Sequence, residues 1–101
     1  MLFRSAMELG EFGIRTNTIC PGSVGGDRMD RVVAAEAAAL GVGESEVRNR
    51  YQDQVSMRTF VDGRDIAAMA VFLASAAARY VNGQVIAIDG GLETLRTGFR
   101  T

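Results

Sequence analysis

The sequence predicts an α/β fold in which two short parallel strands are joined by a long, helix-rich crossover. Two apolar, strand-like segments at residues 14–20 and 84–88 are separated by three stretches with helical periodicity. A connection of that length joins parallel strands, and such crossovers are right-handed. Because two strands are too few for a stable parallel sheet, residues 1–101 are expected to form a single partial domain.

The first elements are a helix end and a strand. Residues 1–9 form an amphipathic pattern that ends at Gly10. No capping residue precedes the pattern, so we expect it to be the last part of a longer helix. Residues 14–20 alternate in polarity and predict a strand in which Cys20 is a buried small hydrophobic residue. Pro21 and Gly22 stop this strand, so residues 14–22 comprise the strand and the loop that follows it.

The crossover contains three predicted helices. Residues 27–40 and 44–55 are two of them, joined at a hinge between Gly41 and Gly43. The strongest helix is predicted over 62–77, with Asp62 as N-cap and Asp65 completing an acidic capping box. The final strand and its terminating turn occupy 84–91, and residues 92–101 resemble a tail. The tyrosines, Tyr51 and Tyr80, are expected to pack, and a further set is expected in the core or an interface: Met57, Phe60, Met69 and Phe72.

The composition excludes several classes of function. The chain has no His, no Lys and one Cys, and its formal net charge is −1. Without His it cannot build a Ser-His-Asp relay and loses the commonest metal ligand, so no catalytic or metal-binding residue is expected. The absence of a basic patch argues against nucleic acid, and the apolar runs are too short to span a membrane. A lone cysteine suits a reducing cytoplasm.

Several short segments resemble, in order and spacing, the C-terminal third of the short-chain dehydrogenase/reductases. The resemblance covers about residues 2–95 and is closest to bacterial 3-oxoacyl-carrier-protein reductases and sugar dehydrogenases. It implies a nicotinamide-dependent oxidoreductase with a Rossmann-like domain, of which this chain supplies the last two strands, and a cofactor that is NAD or NADP. The segments are Met7-Glu8-Leu9-Gly10, Gly13-Ile14-Arg15-Thr16-Asn17, Cys20-Pro21-Gly22-Ser23-Val24, Asp65-Ile66-Ala67, Phe72-Leu73-Ala74-Ser75, Asn82-Gly83-Gln84 and Asp89-Gly90-Gly91.

The resemblance also implies a cofactor site. The loop of Pro21 and Gly22 would lie beside the nicotinamide ring, and the Val24 backbone would bond the carboxamide. The position agrees with the tendency of open α/β sheets to bind ligands at the carboxyl ends of strands, where glycine lets backbone approach closely. Residues 27–55 would form the flexible substrate lid. Gly26 stands where many relatives have a Thr that also bonds the carboxamide, so only backbone contacts carry over.

Two family features are missing from the chain. It has no Gly-rich dinucleotide fingerprint, and Tyr51 is followed four residues later by Val55 and Tyr80 by Gln84, so there is no Tyr-x-x-x-Lys pair. By the resemblance both features would precede Met1. The family is enzymatic, but this truncated segment is expected to be catalytically incompetent by itself and to bind no cofactor alone.

A second hypothesis differs in class. The chain would be a self-associating structural module derived from the same family, forming a homodimer or higher oligomer through residues 62–91. In many relatives the corresponding helix and strand form a subunit contact, and open sheet edges and exposed apolar surface favour association. A separate, complementing chain that supplies the rest of the domain is a third hypothesis. The substrate and the choice between NAD and NADP stay open.

Overall fold

The computed structural model describes residues 1–92, so the predicted tail lies almost entirely outside the described residues. Within this part, four α-helices and two strands follow one another, together with two short 3-10 segments. They are α1 (Leu2–Leu9), a 3-10 turn (Gly10–Phe12), β1 (Thr18–Pro21), α2 (Asp27–Leu40), α3 (Glu44–Asp53), α4 (Gly63–Ala74), a second 3-10 turn (Ala76–Ala78) and β2 (Val85–Ile88).

The two strands form a parallel pair, which confirms the predicted α/β unit. Ile19 lies opposite Ile86, and Pro21 lies opposite Ile88. β1 begins at Thr18, four residues later than predicted, because side-chain acceptors replace part of the backbone ladder before it. The Asn82 Oδ1 accepts from the Thr16 N–H at 3.0 Å, and the Asn17 Oδ1 accepts from the Gln84 N–H at 3.0 Å.

The two faces of the sheet differ in burial. Ile19, Ile86 and Ile88 are half-buried, and Ile19 lines a surface cleft together with Ala70 and Leu73 of α4. On the opposite face Cys20 and Val85 are exposed. The prediction that Cys20 is buried is therefore wrong here. Parallel sheets are normally covered on both faces, and within residues 1–92 no helix shields the Cys20 face.

α2 and α3 form a helical hairpin with its own small core. Val33, Ala37 and Val47 are buried, and three partly buried residues pack against them: Met29, Val42 and Tyr51. The turn between the helices begins at Gly41, whose φ of 68° is the left-handed conformation that ends a helix. An ion pair between Arg48 and Asp30 connects the two helices.

α4 is bounded by polar contacts at both ends. The Asp62 side chain accepts from the Arg64 N–H at 2.9 Å, which confirms the predicted N-cap. At the other end, the Arg15 guanidinium donates to the Leu73 carbonyl at 2.6 Å and to the Val81 carbonyl at 3.2 Å. α4 ends at Ala74, before the predicted residue 77.

Three further sequence-based expectations need adjustment. α3 ends at Asp53 instead of residue 55. α1 does end before Gly10, but Gly10 keeps a right-handed conformation and the left-handed stop falls at Gly13, with φ 75°. The expectation that Tyr80 packs is wrong, because the residue is 88% exposed and its ring contacts the Arg79 guanidinium, 5.1 Å from the ring centre, on the surface. In the expected core or interface set, Phe60 and Met69 are half-buried, whereas Met57 and Phe72 are exposed.

Among residues 1–92, none of the helices combines the length and the hydropathy that crossing a bilayer requires.

Candidate functional site

A cleft of about 620 Å³ opens where β1 ends and the chain turns into α2. The three candidate residues, Pro21, Gly22 and Val24, all contribute to its wall. The remaining wall comes from the glycine-rich linker and the first turns of α2: Ser23, Gly25, Gly26, Asp27, Arg28, Met29 and Val32. This is the carboxyl end of the parallel strands, the edge at which open α/β sheets bind ligands.

Gly22 lies in close contact with Asp89. Its N–H donates to the Ile88 carbonyl at 2.9 Å and extends the ladder by one residue beyond β1. A Cβ atom at position 22 would lie 2.7 Å from the Cβ and 2.8 Å from the Cα of Asp89. The close approach that makes glycine necessary here is therefore to the neighbouring strand end. The sequence-based interpretation considered only approach to a ligand.

Val24 presents two unused backbone groups. The chain pairs with Val61 on one side, since the Gly25 N–H donates to the Val61 carbonyl and the Val61 N–H to the Ser23 carbonyl, both at 2.9 Å. In a parallel bridge the central residue points its own N–H and C=O away from the partner. No group within residues 1–92 hydrogen-bonds to the Val24 N–H or C=O. An adjacent donor and acceptor of this kind complement a primary amide.

Gly26 has a backbone conformation that suits glycine alone. Its φ of 136° and ψ of −169° are disfavoured for residues with a Cβ, and it precedes α2 without any side-chain cap. A Thr with the same backbone would be strained. Position 26 therefore differs from relatives with a Thr in two ways: it has no hydroxyl, and its backbone has a conformation that a Thr would not adopt.

The segment after α3 is tied to a turn, residues 89–91, that the sequence analysis treated only as a strand end. The Ser56 N–H donates to the Gly91 carbonyl at 2.7 Å, and the Met57 N–H donates to the Gly90 carbonyl at 3.0 Å. These bonds hold the segment after α3 against the end of β2. The only sequence signal for them was the pair of glycines at 90–91, which predicts an unusual backbone but not its partner.

Tyr51 is the tyrosine that lies within the α2–α3 hairpin. Its ring packs against Phe60, with centroids 6.4 Å apart and planes at 51°. Partial burial, and then the Glu36 carboxylate beside the phenol, raise the pKa of Tyr51 above its ordinary value of 10.0. A phenol with a raised pKa stays protonated at neutral pH and is suited to packing and hydrogen bonding. Within residues 1–92, no group of three His, Cys, Asp or Glu side chains is placed to hold a metal ion.

The family model described as enoyl-(acyl carrier protein) reductase matches residues 2–93, nearly the whole chain. The chain belongs to this family, within the short-chain dehydrogenase/reductases. Among curated proteins, it is 37% identical over 94 residues to an uncharacterized short-chain type dehydrogenase/reductase of Sinorhizobium fredii, covering 91% of this chain and 15% of that protein. It is 34% identical over 87 residues to L-rhamnose 1-dehydrogenase (NAD(P)(+)) of Azotobacter vinelandii, covering 86% of this chain and 30% of that protein.

Solved structures of family members share the fold. A short chain dehydrogenase family protein from Francisella tularensis superposes with a TM-score of 0.85 at 28% identity, over 94% of this chain and 39% of that one. A 4-hydroxyisoleucine dehydrogenase complexed with NADH superposes with a TM-score of 0.71 at 27% identity, over 89% of this chain and 33% of that one. The chain thus spans between 15% and 39% of the length of the similar proteins named here.

Proposed function

We propose that this chain forms the nicotinamide-side wall and the substrate lid of an NAD(P)-dependent short-chain oxidoreductase. The observation that carries the proposal is the N–H and C=O of Val24, which have no hydrogen-bond partner within residues 1–92 and lie in a cleft at the carboxyl end of β1. The family match supports the cofactor class, because L-rhamnose 1-dehydrogenase (NAD(P)(+)) is among the similar proteins.

The residues of the cleft suit the nicotinamide end of the cofactor. The Val24 N–H would donate to the carboxamide oxygen and the Val24 C=O would accept from the carboxamide NH₂, which orients the ring. Pro21 has no backbone N–H, so it offers one polar group fewer to the cleft than any other residue would. This part of the wall therefore suits the flat face of the nicotinamide ring. When bound, the cofactor supplies the hydride transfer, while this segment supplies orientation and exclusion of water.

The isolated chain is proposed to be inactive. Its sequence contains no Lys and no Tyr-x-x-x-Lys pair, so it has no group of the usual family type to pass a proton as hydride moves. The Gly-rich turn that cradles the cofactor phosphates is also absent from the sequence. We therefore expect no turnover when the purified 101-residue chain is mixed with NADH or NADPH and candidate carbonyl substrates.

A chimaeric enzyme tests the role of Val24. Residues 2–93 replace the matching C-terminal segment of the Azotobacter L-rhamnose 1-dehydrogenase, and the KM for the oxidised cofactor is measured. Val24→Pro removes the N–H, whereas Val24→Ala keeps the backbone and serves as the control. Loss of one such hydrogen bond should raise KM about tenfold in Val24→Pro. An unchanged KM in a Val24→Pro chimaera with an intact circular dichroism spectrum would falsify the assignment.

A second candidate function is self-association through residues 62–91, which the exposed apolar side chains of that segment favour. Val71 is 69% exposed, Val85 56% and Phe72 43%. Burying a fully exposed side chain of this kind contributes about 1.5–3 kcal/mol. Burying the exposed part of these three would therefore favour association against its entropic cost. Light scattering of the 101-residue chain at micromolar concentration should give at least a dimer, and Val71→Glu should dissociate it. A monomeric unmodified chain would exclude this candidate.

A further inference from the structure

We propose that Asp89 is a positioning residue that holds the cofactor loop and the base of the substrate lid at a fixed distance from each other. The cofactor loop means residues 21–26, and the lid base means residues 55–57. Both contact a single turn, residues 89–91, which follows β2. This inference rests on the proposed function, because it assigns a ligand-related purpose to the two segments that the turn connects.

The turn depends on the Asp89 carboxylate for its shape. The Asp89 Oδ1 accepts from the Gly91 N–H at 2.8 Å. Gly90 and Gly91 both have positive φ angles, 69° and 86°, and two consecutive glycines would otherwise sample many conformations. A hydrogen bond to a charged oxygen is roughly twice as strong as one between neutral groups, so this contact is a strong local restraint on the turn.

One side of the turn carries the lid base. Its carbonyls accept from the Ser56 and Met57 N–H groups at 2.7 and 3.0 Å. Val55 is 2% exposed and packs so closely that a Cβ on Gly90 would lie 2.8 Å from its Cγ1. The end of the α2–α3 hairpin is therefore held by the backbone of the turn, and a change in the turn's shape moves or releases it.

The other side of the turn carries the cofactor loop. The Asp89 Cα and Cβ lie against Gly22, since a Cβ at position 22 would lie 2.8 Å and 2.7 Å from them. Gly22 is two residues before Val24, and within residues 1–92 the one bond from this stretch to β2 runs from the Gly22 N–H to the Ile88 carbonyl. Displacing Asp89 would therefore displace the wall that faces the nicotinamide at the same time as the lid base.

Amide hydrogen exchange of the 101-residue chain, followed by NMR, tests the restraint directly. In Asp89→Ala the Ser56 and Met57 amides should exchange about tenfold faster, because the turn loses one hydrogen bond. Asp89→Asn keeps an acceptor at the same position and should stay within about twofold of the unmodified chain. Asp53→Ala is the matched control, since Asp53 is exposed and its carboxylate has no partner within residues 1–92. Asp89→Leu, similar in size and without an acceptor, replaces the alanine variant if that one does not fold.

Two results would overturn the inference. Unchanged exchange at Ser56 and Met57 in Asp89→Ala would show that the carboxylate does not restrain the turn. Equal acceleration at these amides and at the hairpin core amides of Val33 and Val47 would show a general loss of stability with no specific positioning.

The chimaera separates this inference from the proposed function. There, Asp89→Ala should raise the cofactor KM while Asp89→Asn restores it, and Val24→Pro should raise KM independently. If Val24→Pro changes KM and Asp89→Ala does not, the positioning role fails and the proposed function stands. If neither variant changes KM while the exchange results hold, the proposed function fails. The turn would then restrain the lid base alone, and the inference that it holds both the lid base and the cofactor loop would be overturned.

Discussion

Replacing Gly22 by Ala tests how closely the two strand ends approach. The new Cβ would lie 2.7 Å from the Asp89 Cβ, about 0.7 Å short of the 3.4 Å at which ordinary contacts begin. Its other neighbour is the Asp89 Cα at 2.8 Å, a backbone atom that no rotamer change can move. The strand ends must therefore separate and lengthen the bond between the Gly22 N–H and the Ile88 carbonyl. Overpacking of this kind costs about 1–3 kcal/mol of unfolding free energy.

Urea unfolding, followed by circular dichroism, measures that cost. Gly63→Ala is the control, because a Cβ there meets no atom within 4 Å and the residue opens α4. It should leave stability unchanged or raise it by up to about 1 kcal/mol, since Ala favours helices. A loss below about 0.5 kcal/mol for Gly22→Ala, comparable with an ordinary surface substitution, would refute the contact that the structure gives to Asp89.

Three further substitutions or titrations follow from single contacts. Val33→Ala should lower the unfolding free energy by about 2 kcal/mol, because Val33 is fully buried between α2 and α3; thermal unfolding measures this, and a neutral result would mean that the hairpin core is not packed. Thr16→Val should raise stability by about 1 kcal/mol in urea unfolding, because the buried Thr16 Oγ1 has no hydrogen-bond partner among the described residues, 1–92; a loss of stability would reveal one. The Tyr51 phenol should ionise above pH 10.0 in absorbance titrations near 295 nm, and Glu36→Gln should lower that pKa. Because the folded-state pKa is the raised one, stability should be unaffected at neutral pH and fall as pH rises through the folded-state pKa; a titration at the ordinary value would contradict the contact with Glu36.

The order of elements could be predicted because local patterns determine it. Asp62 supplies an N-cap, an apolar stripe begins at Ile66, and α4 forms there. The first residue of β1 could not be predicted, because it depends on hydrogen bonds between residues more than sixty positions apart. The Asn82 side chain accepts from the Thr16 N–H, and the Asn17 side chain accepts from the Gln84 N–H. The exposure of Cys20 depends on which elements cover a sheet face, and strand composition does not encode that.

The candidate site was predictable in place but not in detail. Pro21, Gly22 and Val24 could be assigned to one edge of the sheet because a strand ends there and the family motif follows it. The Val24 N–H and C=O have no partner within residues 1–92, and this depends on the bridge to Val61, a residue that follows α3 in the sequence. The partner of Gly22 could not be predicted either, since a glycine in a sequence indicates close approach without naming the atom approached.

The most direct test of the central claim is an NMR titration of the chimaera, labelled with ¹⁵N, against NADH and NADPH. We expect the Val24 amide resonance to shift on cofactor binding, because its N–H has no partner within residues 1–92. The Val61 amide, already bonded to the Ser23 carbonyl at 2.9 Å, should not shift. Saturable cofactor binding with an unmoved Val24 resonance would contradict the claim that this loop forms the nicotinamide-side wall.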